Sequence, residues 1–194
     1  MFMLEYFGVA TGLLYMALEI KQHPAMWVVG FVTSLVYVFV FFSAKLYAGM
    51  ALQAYYVLIS IYGFRLWTVT SPSQEASPPA AGGIVYRHAD TRVLVKIAVA
   101  VAAIHLSLYG LLAAFTDSPA AGGDAFVTAA GIVATWMLAR RIIEHWYVWI
   151  LANAVSVYIY YLRHLYPTLF LYLCYTLLAV AGLYTWIKKG TEHR

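Results

Sequence analysis

The stretch from Trp146 to Trp186, two apolar segments joined by a polar corner at Arg163 and His164, recurs in diverged form earlier in this chain. A displacement of 119 positions lays it without a gap on Trp27 to Trp67, matching Trp27 with Trp146, Leu46-Tyr47 with Leu165-Tyr166, Tyr56 with Tyr175, Gly63 with Gly182 and Trp67 with Trp186. The register extends backwards through Gly12 on Gly131 and Lys21 on Arg140, so about sixty residues are duplicated. A self-match at one fixed period outranks any local motif, because the second copy should fold as the first does.

What each copy folds into follows from its polarity. Hydrophobic residues make up 64% of the chain and charged residues 10%, too few to cover a soluble globule, whose charged share is about 25%. The apolar runs exceed the roughly 18–20 residues that a helix needs to cross a hydrocarbon core of about 30 Å. They are continuous and long, whereas the strands of a membrane barrel alternate over about ten residues. The single cysteine, Cys174, lies mid-run, makes no intrachain disulfide and reads as a small packing residue.

Seven spans follow, from about Glu5 to Ile20, Met26 to Ser43, Leu46 to Thr68, Arg92 to Phe115, Asp124 to Leu138, His145 to Leu162 and Tyr166 to Lys188. No basic residue precedes the first, which is expected to be retained rather than cleaved as a signal peptide. The Ser-, Pro- and Gly-rich stretch between Thr70 and Ala89 reads as a flexible linker. The fourth span has no counterpart in the duplication. The expected architecture is therefore an all-α integral membrane protein with seven transmembrane helices as a 3+1+3 tandem repeat, the copies parallel because the fourth crossing restores the starting side. Its parts are a first three-helix bundle (1–69), a cytoplasmic linker (70–91), a linking helix (92–115) and a second bundle with a C-terminal tail (116–194).

The net charge of +4 does not point to nucleic acid, because the basic residues sit at span ends. One side carries Lys21, Arg65, Arg87, Arg92, Lys96, Arg140, Arg141, Lys188, Lys189 and Arg194, the other only Lys45 and Arg163. Cytoplasmic loops accumulate such residues, which puts the N-terminus outside and the C-terminus in the cytoplasm.

Polar groups inside spans are costly and therefore informative. Trp149, Asn153 and Tyr160 fall near one face of the sixth span, suited to stacking a flat ring and hydrogen-bonding an amide or hydroxyl; Asn153 serves equally as glue between helices. Gln53 and Tyr56 form a second polar and aromatic pair. Ser34, beside Thr33, holds in the second span the position that Asn153 holds in the sixth, so a site shared between the repeats would use both. Serine and threonine also satisfy their own helix backbone.

Of the seventeen tyrosines, six tryptophans and ten phenylalanines, Trp27, Trp67, Trp146 and Trp186 are expected to anchor span ends at the membrane interface. Tyr37, Tyr56, Trp136, Tyr158, Tyr160 and Tyr175 are expected deeper, where aromatic faces attract cations or simply pack. Glu5 and Asp124 open spans one and five at equivalent outer positions, where a carboxylate suits the helix dipole or attracts a cationic solute. Glu19 is expected to pair with His23 at the inner boundary. His105, mid-span in the fourth helix, is a proton site or a hydrogen-bonding group between helices. No phosphate-binding glycine loop, zinc spacing or nucleophile elbow is present, so neither an enzyme nor a cofactor is expected.

Several of these runs resemble the PnuC family of bacterial vitamin transporters. They are W-I-L-A-N-A-V-S-V-Y-I-Y from Trp149 to Tyr160, with the family's W-x3-N-x6-Y spacing; L-Y-A-G-M-A-L-Q-A-Y-Y-V-L-I-S-I-Y-G-F-R-L-W in span three; E-Y-F-G-V-A-T-G-L-L in span one; and E-H-W before span six. The resemblance implies two three-helix bundles joined by one helix, as in SWEET sugar transporters, assembled as a homotrimer in a bacterial cytoplasmic (inner) membrane. It also implies uptake of an unphosphorylated B-vitamin, nicotinamide riboside most often and thiamine or riboflavin in some branches. Transport would be facilitated diffusion by alternating access, with a cytoplasmic kinase trapping the solute, and Trp149, Asn153, Tyr160 and Gln53 would line the site. Gly123-Asp124 replaces the family's frequent W-D, and Thr33-Ser34 an asparagine of some members, which keeps thiamine a close rival. A SWEET-type sugar carrier and a non-conducting membrane receptor are the competing classes; a lipid-modifying enzyme would need clustered His, Asp or Glu, and here they are scattered.

Overall fold

The computed structural model describes residues 2–43, 47–68, 84–115 and 121–192, except the side chains of residues 2–6 and 47–48. Among the described residues lie seven α-helices, α1 (Phe2–Ile20), α2 (Ala25–Ser43), α3 (Tyr47–Thr68), α4 (Thr91–Phe115), α5 (Ala121–Ala139), α6 (His145–Leu162) and α7 (Tyr166–Lys189). Two short strands, β1 (Ile84–Tyr86) and β2 (Gly190–Glu192), pair with each other. Each expected span is a helix to within three residues at its ends.

Apolarity is uneven along the chain. Helices α2, α4, α5 and α7 are long and apolar enough to cross a membrane, and α1 contributes a shorter apolar stretch, Phe7–Ile20. Helices α3 and α6 fall short because they carry the polar and tyrosine residues on which the candidate sites were drawn. Polarity runs outside-in: Glu19, Ser34, Ser60, Thr135, His145, Asn153 and Ser156 are buried, while Val28, Val32, Leu35, Phe39 and Phe42 line an exposed stripe on α2. Water would penalise so large an apolar surface; hydrocarbon solvates it and penalises exposed polar groups instead. The chain is a multi-pass membrane protein.

The helices form two compact units, α1–α3 and α4–α7. In the first, α2 packs against both α1 and α3. Three contacts fix the α2–α3 register: a Cβ on Gly63 would lie 2.5 Å from the Trp27 ring, one on Gly30 3.2 Å from Ser60 Oγ, and one on Gly49 3.0 Å from the Phe41 ring. Each pair of residue numbers adds to 90 (27 with 63, 30 with 60, 41 with 49), as it must for an antiparallel pair in constant register. Trp27 closes the packing by meeting Trp67 edge to face, centroids 5.4 Å apart at 87°.

The second unit repeats this construction. Trp146 of α6 covers Gly182 of α7, where a Cβ would come within 2.6 Å of Cζ2, and meets Trp186 edge to face at 5.7 Å and 88°. In hydrocarbon there is no hydrophobic drive between helices, so close approach over small residues and ring packing hold them together. The four tryptophans, 0–3% exposed, are thus interior wedges rather than the interface anchors expected of them. Helix α4 packs on α5 through Ile97, Val133 and Met137 with Ile142 of the following corner.

The corners match as well. Gln22 and Arg141, 119 positions apart, both adopt left-handed backbone (φ 51° and 57°). At each, the residue's N–H bonds the carbonyl three back (Gln22 to Glu19, Arg141 to Leu138) and the next N–H reaches five back (His23 to Leu18, Ile142 to Met137), at 2.9–3.0 Å. This is the Schellman closure of a helix, here without the usual glycine. His164 (φ 55°) ends α6 in the same way.

The end of the expected linker is ordered. Arg87 exchanges backbone hydrogen bonds with Arg141 and Ile143 at 3.1 Å. Glu144 takes His88 Nδ1 on one oxygen at 2.9 Å and the Ala89 N–H on the other at 3.1 Å, and Asp90 caps α4 through the Val93 N–H. Residues 69–83 lie outside the described residues.

The glycine notches give the test. Gly63→Ala and Gly182→Ala should each lower stability by about 1–3 kcal/mol through overpacking against a rigid indole, whereas Gly110→Ala, with nothing within 4 Å of its Cβ, should be neutral or stabilising by up to about 1 kcal/mol. Thermal unfolding of the purified variants reads the difference; equal effects at all three positions would remove the wedges from their role.

Candidate functional site

Helix α6 presents its polar face between two ties to α7, Trp146 over Gly182 at one end and Tyr160 against Tyr172 at the other, rings 5.1 Å apart. Between the ties stand Trp149 and Asn153 on α6 and Tyr175 and Ala179 on α7. Asn153 is 5% exposed and Ser156, one turn on, is buried with its hydroxyl donated to the Ala152 carbonyl at 3.0 Å. Trp149 is half-buried, and its indole Nε1–H is buried without an acceptor. A donor left so in an apolar surround costs roughly 1–3 kcal/mol, so this N–H is available to a solute's acceptor. Tyr172 extends the aromatic wall by meeting Tyr175 edge to face at 5.8 Å.

In the first unit the corresponding layer is set by the α2–α3 register. Numbers adding to 90 put Ser34 abreast of Tyr56, and Tyr37 abreast of Gln53. Ser34 is buried, Gln53 and Tyr56 are half-buried, and Thr33 Oγ1 is buried without a hydrogen-bond partner. The Tyr37 hydroxyl end lies over Gly8 of α1 and its ring meets Phe41 at 5.8 Å. In the first unit a tryptophan wedge, the Gly30–Ser60 contact and the Ser34–Tyr56 level follow one another; a displacement of 119 carries the last of these to Asn153 and Tyr175, while Trp149 stands where Gly30 does.

Other expected residues stand elsewhere. Trp136 packs against the α4–α5 cluster, with the Arg140 guanidinium 4.8 Å above its ring. Tyr158 is 62% exposed and takes no part in an interior aromatic path. Asp124 opens α5 with its carboxylate already engaged, accepting from Arg163 Nη2 at 3.1 Å. The Glu5 side chain lies outside the described residues. His105 stacks on Tyr109 and meets Phe126 edge-on, its Nδ1 without a hydrogen-bond partner, so the expected bond between helices is not made there. Burial lowers the Arg141 guanidinium pKa at the α5–α6 corner. Among the described residues no three His, Cys, Asp or Glu side chains gather as a metal site.

Three residues beside these layers escaped sequence reasoning. Tyr172 stands 119 positions beyond Gln53, so carrying that residue across the repeat would have found it, whereas Ser60 corresponds to Ala179 and left no polar signal. Tyr15, whose ring would meet a Cβ on Gly30 at 3.0 Å, has only Ala134 as its counterpart and left no such signal. Gly123 also gains a reason: a Cβ there would lie 2.5 Å from Ile159 Cδ1, so α6 occupies the space that a tryptophan at this position would need.

A bundle of membrane helices with neutral amide, hydroxyl and indole groups on its inner faces belongs to the class of small-solute carriers. The chain belongs to the nicotinamide mononucleotide transporter family, whose model matches residues 2–188. It is 24% identical to the nicotinamide riboside transporter PnuC of Escherichia coli (strain K12) over 97% of this chain and 87% of that protein. It is 27% identical to the riboflavin/roseoflavin transporter RibM of Streptomyces davaonensis over 92% and 82%. The crystal structure of the vitamin B3 transporter PnuC has the same fold, with a TM-score of 0.71 at 21% identity, covering 95% of this chain and 80% of that one.

The Asp124–Arg163 pair separates a structural from a solute-attracting carboxylate. With side chains 38% and 31% exposed, solvent screening should hold their coupling to about 0–1 kcal/mol. A double-mutant cycle of Asp124→Asn and Arg163→Gln should return that value and leave solute affinity within about twofold of the parent. A tenfold loss of affinity in Asp124→Asn alone would put the carboxylate back among the solute's contacts.

Proposed function

We propose that this protein carries an unphosphorylated B-vitamin across a membrane, nicotinamide riboside foremost, by facilitated diffusion with alternating access. The observation that carries the proposal is the Trp149 indole N–H, buried without an acceptor one turn from a buried amide, Asn153. An aromatic donor beside an amide suits a flat ring bearing a carboxamide and a ribose, and the Tyr160, Tyr172 and Tyr175 rings supply further stacking surface. Gln53, Tyr56, Thr33 and Ser34 are the matching group of the first unit. The family's description names a mononucleotide, but a phosphate needs arginine, lysine or a helix N-terminus to offset its charge, and every one of these side chains is neutral.

The matching wedges, corners and polar layers at a displacement of 119 support a 3+1+3 parallel arrangement of the SWEET kind, with α4 as the linking helix of residues 92–115 between bundles 1–69 and 116–194. The distribution of lysine and arginine supports an N-terminus outside and a C-terminus and 70–91 linker in the cytoplasm of a bacterial inner membrane. Assembly as a homotrimer and trapping of the solute by a cytoplasmic kinase complete the proposal.

Uptake of labelled nicotinamide riboside, thiamine and riboflavin into proteoliposomes tests it. Asn153→Ala should cut uptake about tenfold, and Trp149→Phe, which keeps a ring but removes the N–H, should raise KM about five- to tenfold, the equivalent of one lost hydrogen bond. Entry of none of the three, competition by glucose or sucrose, or wild-type transport by both variants would defeat the assignment.

A further inference from the structure

The α4–α5 pair carries a cluster of positive charge on one flank. Two contacts set the register of this antiparallel pair: a Cβ on Gly122 would lie 3.8 Å from the Tyr109 ring, and Phe126 meets His105 edge to face. Both pairs of residue numbers add to 231 (122 with 109, 126 with 105), which puts Trp136 abreast of Val95 and Arg140 abreast of Thr91. The Arg140 side chain folds back along its own helix until its guanidinium stands 4.8 Å above the Trp136 ring. Its charge thereby comes to the level of Val95 and Lys96.

Direction follows from helical spacing. Ile97 and Val133 lie in the contact between the two helices. At about 100° per residue, Lys96 and Arg92 turn to one flank of α4 and His105 to the other. On α5, which runs the opposite way, Trp136 turns to the flank of Lys96 and Arg92. Arg92, Lys96 and Arg140 are exposed, and among the described residues none of the three stands in an ion pair. The carboxylates of this corner are engaged, Asp90 by the Val93 N–H and Glu144 by His88 and the Ala89 N–H.

A guanidinium stacked on a ring keeps its in-plane N–H donors free, and those donors match the oxygens of a phosphate. Beyond the three charges α4 turns apolar: Val99, Ala103 and Leu106 continue the exposed face of Lys96. From Lys96 to Leu106 the helix rises about 15 Å, the depth of one leaflet of a hydrocarbon core of about 30 Å. Cations at the membrane boundary, leading into an exposed apolar stripe one leaflet deep, match an acidic headgroup carried on an acyl chain.

We propose that Arg92, Lys96 and Arg140 form a headgroup site for an anionic glycerophospholipid of the surrounding bilayer, with an acyl chain lying along Val99, Ala103 and Leu106. The bound lipid bridges α4 to α5, whichever solute the protein carries.

Native mass spectrometry of the purified full-length protein, titrated with phosphatidylglycerol and phosphatidylcholine of identical chains, tests it. The wild-type protein should bind the anionic lipid at least tenfold tighter. Lys96→Gln and Arg140→Gln should each weaken that binding about fivefold. Arg92→Gln, Lys96→Gln and Arg140→Gln together should bring the two lipids to parity. Lys188→Gln with Lys189→Gln, which removes two exposed charges elsewhere, should leave the preference within about twofold of wild type. Parity in the wild-type protein or a preference that survives the triple substitution overturns the proposal. So does an equal loss in the Lys188 and Lys189 variant, which would show diffuse attraction in place of a site. Displacement of the lipid by inorganic phosphate at an equal concentration also overturns it, by making a free anion the occupant. Should the triple variant not fold, the single substitutions decide, and a loss of affinity for both lipids alike sinks the proposal.

Discussion

Everything in this chain that resembles a site is held in place by an indole pressed on a bare helix backbone. Trp27 on Gly63 and Trp146 on Gly182 bring paired helices so close that no side chain fits between them at that level. An antiparallel pair pinned at one end has its register set along its whole length, because the rise per residue is constant. The position of Ser34 beside Tyr56, and of Asn153 in the layer of Tyr175, is therefore inherited from the wedge two turns away. In hydrocarbon, where apolar burial contributes nothing to helix association, such steric fit and the edge-to-face ring pairs are the available forces.

The two units stop matching in the layer just inside their tryptophan wedges. Their wedges and corner hydrogen bonds coincide, yet the aromatic of the second layer stands on α1 in one unit (Tyr15 over Gly30) and on α6 in the other (Trp149, with Ala134 in Tyr15's place). The ionisable group beside it likewise differs: Glu19 on α1 in the first, His145 on α6 in the second, both buried. His145 is tied to the Ile142 carbonyl at 2.7 Å and packed between Trp146 and Trp186, which makes it part of the wedge.

Much of this was legible in the sequence. Seven helices, their ends and the paired tryptophans and glycines followed from apolar run length and one displacement, because both are set by the solvent and by steric fit. The grouping of Asn153 with Trp149 and Tyr160 on one face of α6 followed from helical spacing alone. What a single helix cannot report is which neighbour it meets. The tryptophans at span ends fitted an interface belt as well as an interior wedge, and only the facing glycine decides. Asp124 met its partner 39 positions on, Arg163, at the far end of another helix. Trp136 was drawn towards the site by depth, whereas its ring turns to α4 and Arg140. Glu19, expected at the inner boundary one turn from the helix end, is 2% exposed, and depth along a helix says nothing of whether a side chain points in or out.

Among the described residues the polar layers proposed as the site, Thr33, Ser34, Gln53, Tyr56, Trp149, Asn153 and Tyr160, carry no basic side chain, which is the ground for proposing an aromatic riboside rather than its phosphate. Isothermal titration of the purified protein with nicotinamide riboside and, separately, nicotinamide mononucleotide tests it most directly, since the two differ by one phosphoryl group. Binding of the riboside, with the mononucleotide at least a hundredfold weaker, is the predicted result; equal or tighter binding of the mononucleotide would contradict it.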